Sequence, residues 1–380
     1  MSAQLAIAPA QGLIPVNDAP VAVGARRHVL EVLDSGWVSS AGPMVARFER
    51  AFAEFVGVRH AVSTASGTTA LHLALAALGI GPGDEVIVPD LTMIATACAV
   101  LYTGATPVFV DIDPAIGTLD PRRVEAAITP RTRALWQVHQ YRHTAEMDAL
   151  YALADAHGLR IVEDAAQAHG ARYRGRACGA LGDVAAFSFY ANKLISTGEG
   201  GMLTTDDDAL AAKARALRNL SHSPARRFVH DDLGFSYRMG ALPAALGLGQ
   251  LEEIDRFMAH KRWMAQAYGE RLAGLPGLLL PETRDWATHA HWMYAVRLTQ
   301  EARLTRDALA GALRARGIET RDFFDSCARQ PMIVERLGPQ PRCPVSEAWA
   351  AGGLYLPSGL ALTEAQLERV CTAVAAALGH

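Results

Sequence analysis

No Cys-x-x-Cys pair occurs in the 380 residues, and the five cysteines (Cys98, Cys178, Cys327, Cys343 and Cys371) are odd in number and far apart. That spacing offers neither a disulfide framework nor a structural zinc site, so they read as free thiols of a reducing compartment. Nor is there a block of one charge. Lys and Arg are scattered and the net charge is -3, which argues against a surface built for nucleic acid. No apolar run approaches the roughly 20 residues of a membrane helix. The opening MSAQLAIAPAQG lacks the basic start and long apolar stretch of a signal peptide. Internal repeats and low-complexity segments are absent too. The expectation is a cytoplasmic chain with small-molecule partners, no nucleic acid, no membrane and no metal.

What is present is a large hydrophobic complement, 50% of the residues, enough for a core divided between a major and a minor domain. From about residue 45 short apolar runs alternate with helical patterns, which predicts an α/β architecture on a mostly parallel sheet. EVIVP, TPVFVD, RALWQVH and LRIVED read as buried parallel strands ending in polar residues; HAVST, AAFSFY and GGMLTT are further strands. ALHLALAALG places Leu71, Leu75 and Leu78 on one helical face, with Gly79 as its stop. One long helix is expected from Gly247 to about Leu275, with Leu251, Ile254, Met258 and Met264 on its buried side. The domain boundary falls near its start. Residues 1–250 form a large domain, and 251–380 a smaller α+β domain with a strand at AVRL and a helix from Thr363 to Leu378. The N-terminal segment is a candidate to pack on the smaller domain.

Ligands of open α/β sheets bind beyond the carboxyl ends of the strands, so the polar residues there are where a site belongs. Ser66, Gly67 and Thr68 open a helix whose free N–H groups suit a phosphate, although a strand-to-helix turn with Ser and Gly is common and, taken alone, this one reads first as a turn in which Ser66 merely caps the helix. Asp164 emerges at a strand end. Its carboxylate could face a pyridinium nitrogen, or serve as a salt bridge or helix cap. Lys193 stands among apolar and small residues in FSFYANKLISTGEGG, where desolvation would make its amine a nucleophile toward an aldehyde. An isolated lysine is more often a surface charge.

SGTTALHLALAALG, EDAAQAHGA, FSFYANKLISTGEGG, GFSYRM and LPSGLALTEAQL follow one another in an order and spacing that resembles the DegT/DnrJ/EryC1/StrS sugar aminotransferases. The resemblance runs from about Gly36 to the C-terminus. It implies fold type I, the aspartate aminotransferase-like fold of pyridoxal-phosphate (PLP) transferases, in a homodimer with active sites at the subunit interface. It also implies pyridoxal 5'-phosphate as cofactor, Lys193 as the Schiff-base lysine, Asp164 at the pyridine nitrogen and Gln167 at the phenolic oxygen. The phosphate would be held by the backbone of Gly67 and Thr68 and by the Ser188 hydroxyl. The implied substrates are an amino-acid donor, usually glutamate in this family, and a keto sugar. FYANKLISTGEGGM and HWMYAV are most similar to the perosamine-synthase branch, which aminates nucleotide-linked 4-keto-6-deoxyhexoses.

Four departures from the family pattern stand out. Met93 replaces the aromatic ring that commonly stacks on the cofactor, and it reads equally as a π-face contact or as core packing. Ser236 stands where an Asn usually reaches the phosphate across the dimer interface. Arg142 in VHQYRH occupies a usual Gly position, either meeting an anionic group or lying on the surface, and DFFDSCARQPM lacks the usual Pro-Leu-His. These leave open a non-nucleotide keto sugar, a cyclitol or another ketone of a natural-product pathway as substrate. The sugar dehydratases of the same family carry His in place of the lysine, so Lys193 argues against that activity. A scaffold role without turnover is argued against by the intact Asp164, Ser188 and Lys193 set.

Overall fold

The computed structural model describes residues 12–18, 20–140, 143–226 and 228–380. Helices α1 (Val23–Ser35) and α2 (Pro43–Val56) come first. Pro43 needs no N–H partner at the start of α2, and Gly57, at φ 82°, supplies the left-handed turn that ends it. Then β1 (His60–Thr64), α3 (Gly67–Leu78), β2 (Glu85–Pro89), α4 (Ala95–Tyr102), β3 (Thr106–Val110), α5 (Pro121–Ala127), β4 (Thr132–Val138), α6 (Met147–His157) and β5 (Arg160–Asp164) alternate. A short hairpin, β6 (Arg172–Tyr173) with β7 (Arg176–Ala177), precedes β8 (Val184–Ser188), β9 (Gly201–Thr205), α7 (Asp208–Arg218) and α8 (Ala241–Leu251).

The main sheet has seven strands in the order β1-β9-β8-β5-β4-β2-β3. All run parallel except β9, which is antiparallel to both β8 and β1. Strands β2, β8 and β9 are buried at every residue, as expected when helices cover both faces. The reversal of β9 has a local consequence. Residues 189–200 leave β8 and enter β9 at the same edge of the sheet, so the loop carrying Lys193 hangs over the carboxyl ends of the parallel strands.

Helix α3 is buried on more than the expected face, because Leu73 and Ala74 are enclosed along with Leu71 and Leu75. Leu78 is only half-buried. The expected single helix from Gly247 to Leu275 forms as two: α8 stops at Leu251 and α9 spans Ile254–Leu272. The intervening glutamates are recruited by α1. Glu252 accepts from the Arg27 guanidinium at 2.9 Å, and Glu253 accepts from the Val23 N–H at 3.0 Å. Helical periodicity carries no trace of such distant partners.

The remaining elements are β10 (Leu278–Leu279), β11 (Ala287–Thr288), β12 (Tyr294–Leu298), α10 (Arg306–Arg314), β13 (Arg321–Asp322), α11 (Pro331–Leu337), α12 (Pro344–Gly352), β14 (Gly353–Leu356) and α13 (Glu364–Leu378). Strands β10-β12-β14-β13 form a second sheet, and β11 joins the hairpin strand β6. A separate core that includes Tyr268, Tyr294, Leu313, Leu354 and Val370 lies here, partly under α13. The Thr363 hydroxyl and Gln366 cap α13 reciprocally. The N-terminal segment runs against this region: Ile14 pairs with Ile318, and the Ser358 N–H donates to the Val16 carbonyl at 2.8 Å. All five cysteines are free. Among the described residues no helix is long and apolar enough to cross a membrane.

Candidate active site

The carboxyl ends of β1, β2, β4, β5 and β8 converge on one cavity of about 270 Å³, whose lining includes Gly67, Thr68, Met93, Asp164, Gln167, Ser188 and Lys193. At the β1 end, Ser66 caps α3 by accepting from the Thr69 N–H at 3.2 Å, while the Thr69 hydroxyl accepts from the Ser66 N–H at 3.0 Å. The cap uses Ser66 and leaves the N–H groups of Gly67 and Thr68 without a partner among the described residues. The helix sits close against β8 there. A Cβ on Gly67 would lie 2.7 Å from the Ser188 Cβ, and one on Gly201 would lie 2.3 Å from the Ser66 carbonyl oxygen. Both glycines are therefore needed to bring the helix N-terminus beside the Ser188 hydroxyl.

Asp164, the last residue of β5, is buried. Its Oδ1 accepts from the Ala166 N–H at 3.0 Å and its Oδ2 from the Thr96 hydroxyl at 3.1 Å. Burial raises its pKa; the Ala166 N–H, the Lys193 charge, the Thr96 hydroxyl and His139 pull the other way. The Lys193 amine is pushed down to about 8 by desolvation, opposed by the Asp164 charge and aided by Arg321. The Lys193 Nζ lies 4.2 Å from the centre of the Trp292 ring. An acid and an amine, each drawn away from its ordinary protonation, thus share one cavity with a helix N-terminus.

Of the residues singled out in the sequence, Gly67, Thr68, Asp164, Gln167, Ser188 and Lys193 meet at this cavity. Met93 is there too, 47% exposed, which excludes its reading as core packing. Its thioether accepts from the Ala95 N–H at 3.1 Å. Ser236 does not line the cavity of its own chain; it is exposed, and its hydroxyl accepts from Arg238 at 2.9 Å. Arg142 lies outside the described residues. Sequence reasoning passed over Thr96, Trp292 and Arg321. Thr96 stands in the first turn of α4, its hydroxyl 3.3 Å from that of Thr92 in the preceding loop. Trp292 lies in HWMYAV, and only the fold brings that segment to the lysine.

His139, Glu163 and Cys178 place possible metal-ligand atoms within 4.8 Å of one another. The Glu163 carboxylate is already engaged, accepting from the N–H groups of Gly179 at 2.8 Å and of Leu181 and Gly182 at 2.7 Å, with His139 Nε2 at 2.9 Å. It ties β5 to the loop before β8.

Residues 23–375 match the model of the DegT/DnrJ/EryC1/StrS aminotransferase family. The GDP-perosamine synthase of Caulobacter vibrioides is 47% identical over 92% of this chain and 94% of its own. The dTDP-3-amino-3,4,6-trideoxy-alpha-D-glucose transaminase of Streptomyces venezuelae is 45% identical over 91% of this chain and 90% of its own. Among solved structures, DesI in the presence of its TDP-sugar product superposes with a TM-score of 0.90 at 36% identity, covering 97% of this chain and 93% of that one. The fold is that of the fold type I transferases, and the chain belongs to the DegT/DnrJ/EryC1/StrS aminotransferase family.

Proposed function

We propose that this aminotransferase moves an amino group from an amino acid, glutamate, to the carbonyl carbon of a nucleotide-linked 4-keto-6-deoxyhexose, using pyridoxal phosphate bound at Lys193. The observation that carries the reading is the shared cavity of Lys193, Asp164 and the uncapped N–H groups of α3. The names of the relatives, GDP-perosamine synthase and a dTDP-amino-sugar transaminase, support the substrate class.

The cavity fits the cofactor chemically. The cradle between Gly67 and Ser188, which a Cβ would fill, suits an anionic phosphate at a helix N-terminus. At the other end a buried carboxylate whose pKa burial has raised calls for a cation, and a protonated ring nitrogen is one. When bound, pyridoxal phosphate supplies an aldehyde for amine exchange and a ring that accepts electron density. The N–H groups of Gly67 and Thr68 and the Ser188 hydroxyl hold the phosphate; Asp164, braced by Thr96 and the Ala166 N–H, keeps the ring nitrogen protonated. Gln167 and Met93 line the same cavity, where Gln167 would hold the phenolic oxygen and Met93 would pack on the ring. Lys193, its amine neutral in a good fraction of molecules near pH 8, takes the proton from the donor's α-carbon and returns one to the sugar.

The site is completed in a homodimer, with Ser236 reaching the partner's phosphate. Most exposed large apolar side chains fall in two segments, from Val21 to Val38 and from Leu220 to Leu233, and two others, Met93 and Tyr190, line the cavity itself. Such exposure marks a contact surface. The reading is tested by adding pyridoxal phosphate to the purified protein, then glutamate, then a panel of nucleotide-linked 4-keto-6-deoxyhexoses, with mass spectrometry of the products. A visible band that glutamate bleaches, followed by an amino sugar, is expected. Absence of the band overturns the cofactor assignment, and failure across the panel with a working glutamate step redirects the substrate to another ketone.

A further inference from the structure

We propose that Trp292 is a positioning residue whose indole face seats the Lys193 ammonium while that amine is free of the cofactor. The proposal rests on Lys193 being the cofactor lysine. Its own support is geometric. The Lys193 Nζ stands 4.2 Å from the ring centre, and the ring is held from two sides. The indole N–H donates to the Asn192 carbonyl at 2.6 Å, and the Trp292 carbonyl accepts from the buried Lys261 ammonium at 2.9 Å. The Asn192 carbonyl also accepts from the Asn17 amide at 2.9 Å. The N-terminal segment, the lysine loop and the strand region before β12 therefore meet at one indole, which is itself only 5% exposed.

An indole suits this post for a chemical reason. Lys193 must serve as base and as acid in turn. A close carboxylate partner would hold it as a cation, whereas an aromatic face attracts the ammonium without accepting its proton. The charges around it leave room for such a seat. Asp164 attracts the amine but already has donors on both oxygens. Arg321 repels it, and His169, driven down to about 3 by burial, adds no charge. Glu199 and Tyr355 line the same cavity, Glu199 at its exposed rim and Tyr355 with a hydroxyl that burial keeps neutral. Lys261 donates to the backbone carbonyl of Trp292, not to the ring face, and is not among the charges acting on Lys193.

The experiment uses the full-length protein stripped of cofactor and follows the rate of pyridoxal phosphate capture against pH, with borohydride trapping and peptide mapping. Capture requires the neutral amine, so the rate rises with pH through the Lys193 midpoint. Replacing the indole removes a stabiliser of the cation. Trp292→Leu is expected to move that midpoint down by about half to one pH unit, with Trp292→Phe between it and the parent. An unchanged or raised midpoint in both variants, with trapping still at Lys193, overturns the seat and leaves the lysine assignment intact. Trapping at another lysine in the unaltered protein overturns the assignment, and the seat with it. Should Trp292→Leu fail to fold, the Phe variant alone decides by the same criterion.

Discussion

At the scale of single residues, the site depends on atoms that are missing as much as on those present. Gly67→Ala would put a Cβ 2.7 Å from that of Ser188, pushing the start of α3 off β8. Retention of pyridoxal phosphate should fall at least about tenfold while circular dichroism stays unchanged, a contrast that equilibrium dialysis reads directly. Asp164→Asn keeps the shape but removes the charge that protonates the ring, so turnover should drop by roughly a hundredfold or more with the cofactor still bound. Lys261 makes a separate prediction. Burial lowers its pKa from 10.5 to about 7, so between those values the unfolded chain binds a proton that the folded chain sheds. Its contribution therefore favours folding more strongly as pH rises from 7 toward 10, and below 7 the burial penalty is felt in full. In denaturant titrations at pH 7 and 9.5, Lys261→Met should lose that part of the slope. Asp164 and Lys193 could be singled out in the sequence because EDAAQAHGA and FSFYANKLISTGEGG resemble the family's motifs; their apolar settings alone left each open to a structural reading. Trp292 could not be, since its importance comes from Asn192 and Lys261, 100 and 31 positions away.

At the scale of elements, what could be read locally was the sheet, and what could not was where neighbouring helices interrupt one another. The caps of α3 and α13 follow from their own few residues. Ser66→Ala should cost about 1 kcal/mol of stability by urea titration and should impair cofactor binding far less than Gly67→Ala, because the cap and the cradle use different atoms. The break between α8 and α9 depends on α1. A Cβ on Gly249 would lie 2.0 Å from the Ala25 nitrogen, so α1 and α8 touch backbone to backbone there. Gly249→Val should detach α1 and destabilise the protein by several kcal/mol, visible as early proteolysis within residues 20–40. Ser236 is a second case, in a segment whose Tyr237 carbonyl accepts from the Ala65 N–H beside the start of α3 at 2.9 Å. Its segment was recognisable, but a single chain leaves it at the surface.

At the scale of the whole molecule, the proposed dimer would cover apolar side chains that a single chain leaves exposed. Leu233 is 84% exposed and Trp37 57%. Replacing both with Glu should yield a monomer by light scattering and weaken cofactor retention, since the phosphate would lose its contact from the other subunit; a parent protein that is itself monomeric at micromolar concentration would count against the dimer. The reversed strand β9 reaches furthest. It pairs Thr64 with Gly201, so the edge strand that leads into the phosphate cradle is joined to the sheet only through a partner 137 positions later. Such a distant closure is slow relative to local pairing. On the ribosome, a nascent chain that has not yet extruded Thr205 has no strand to hold β1 beside β8, and the cradle and the lysine loop are completed together by the arrival of one strand. A cofactor held as proposed would therefore find its cradle and its lysine brought together only once β9 has paired with β1.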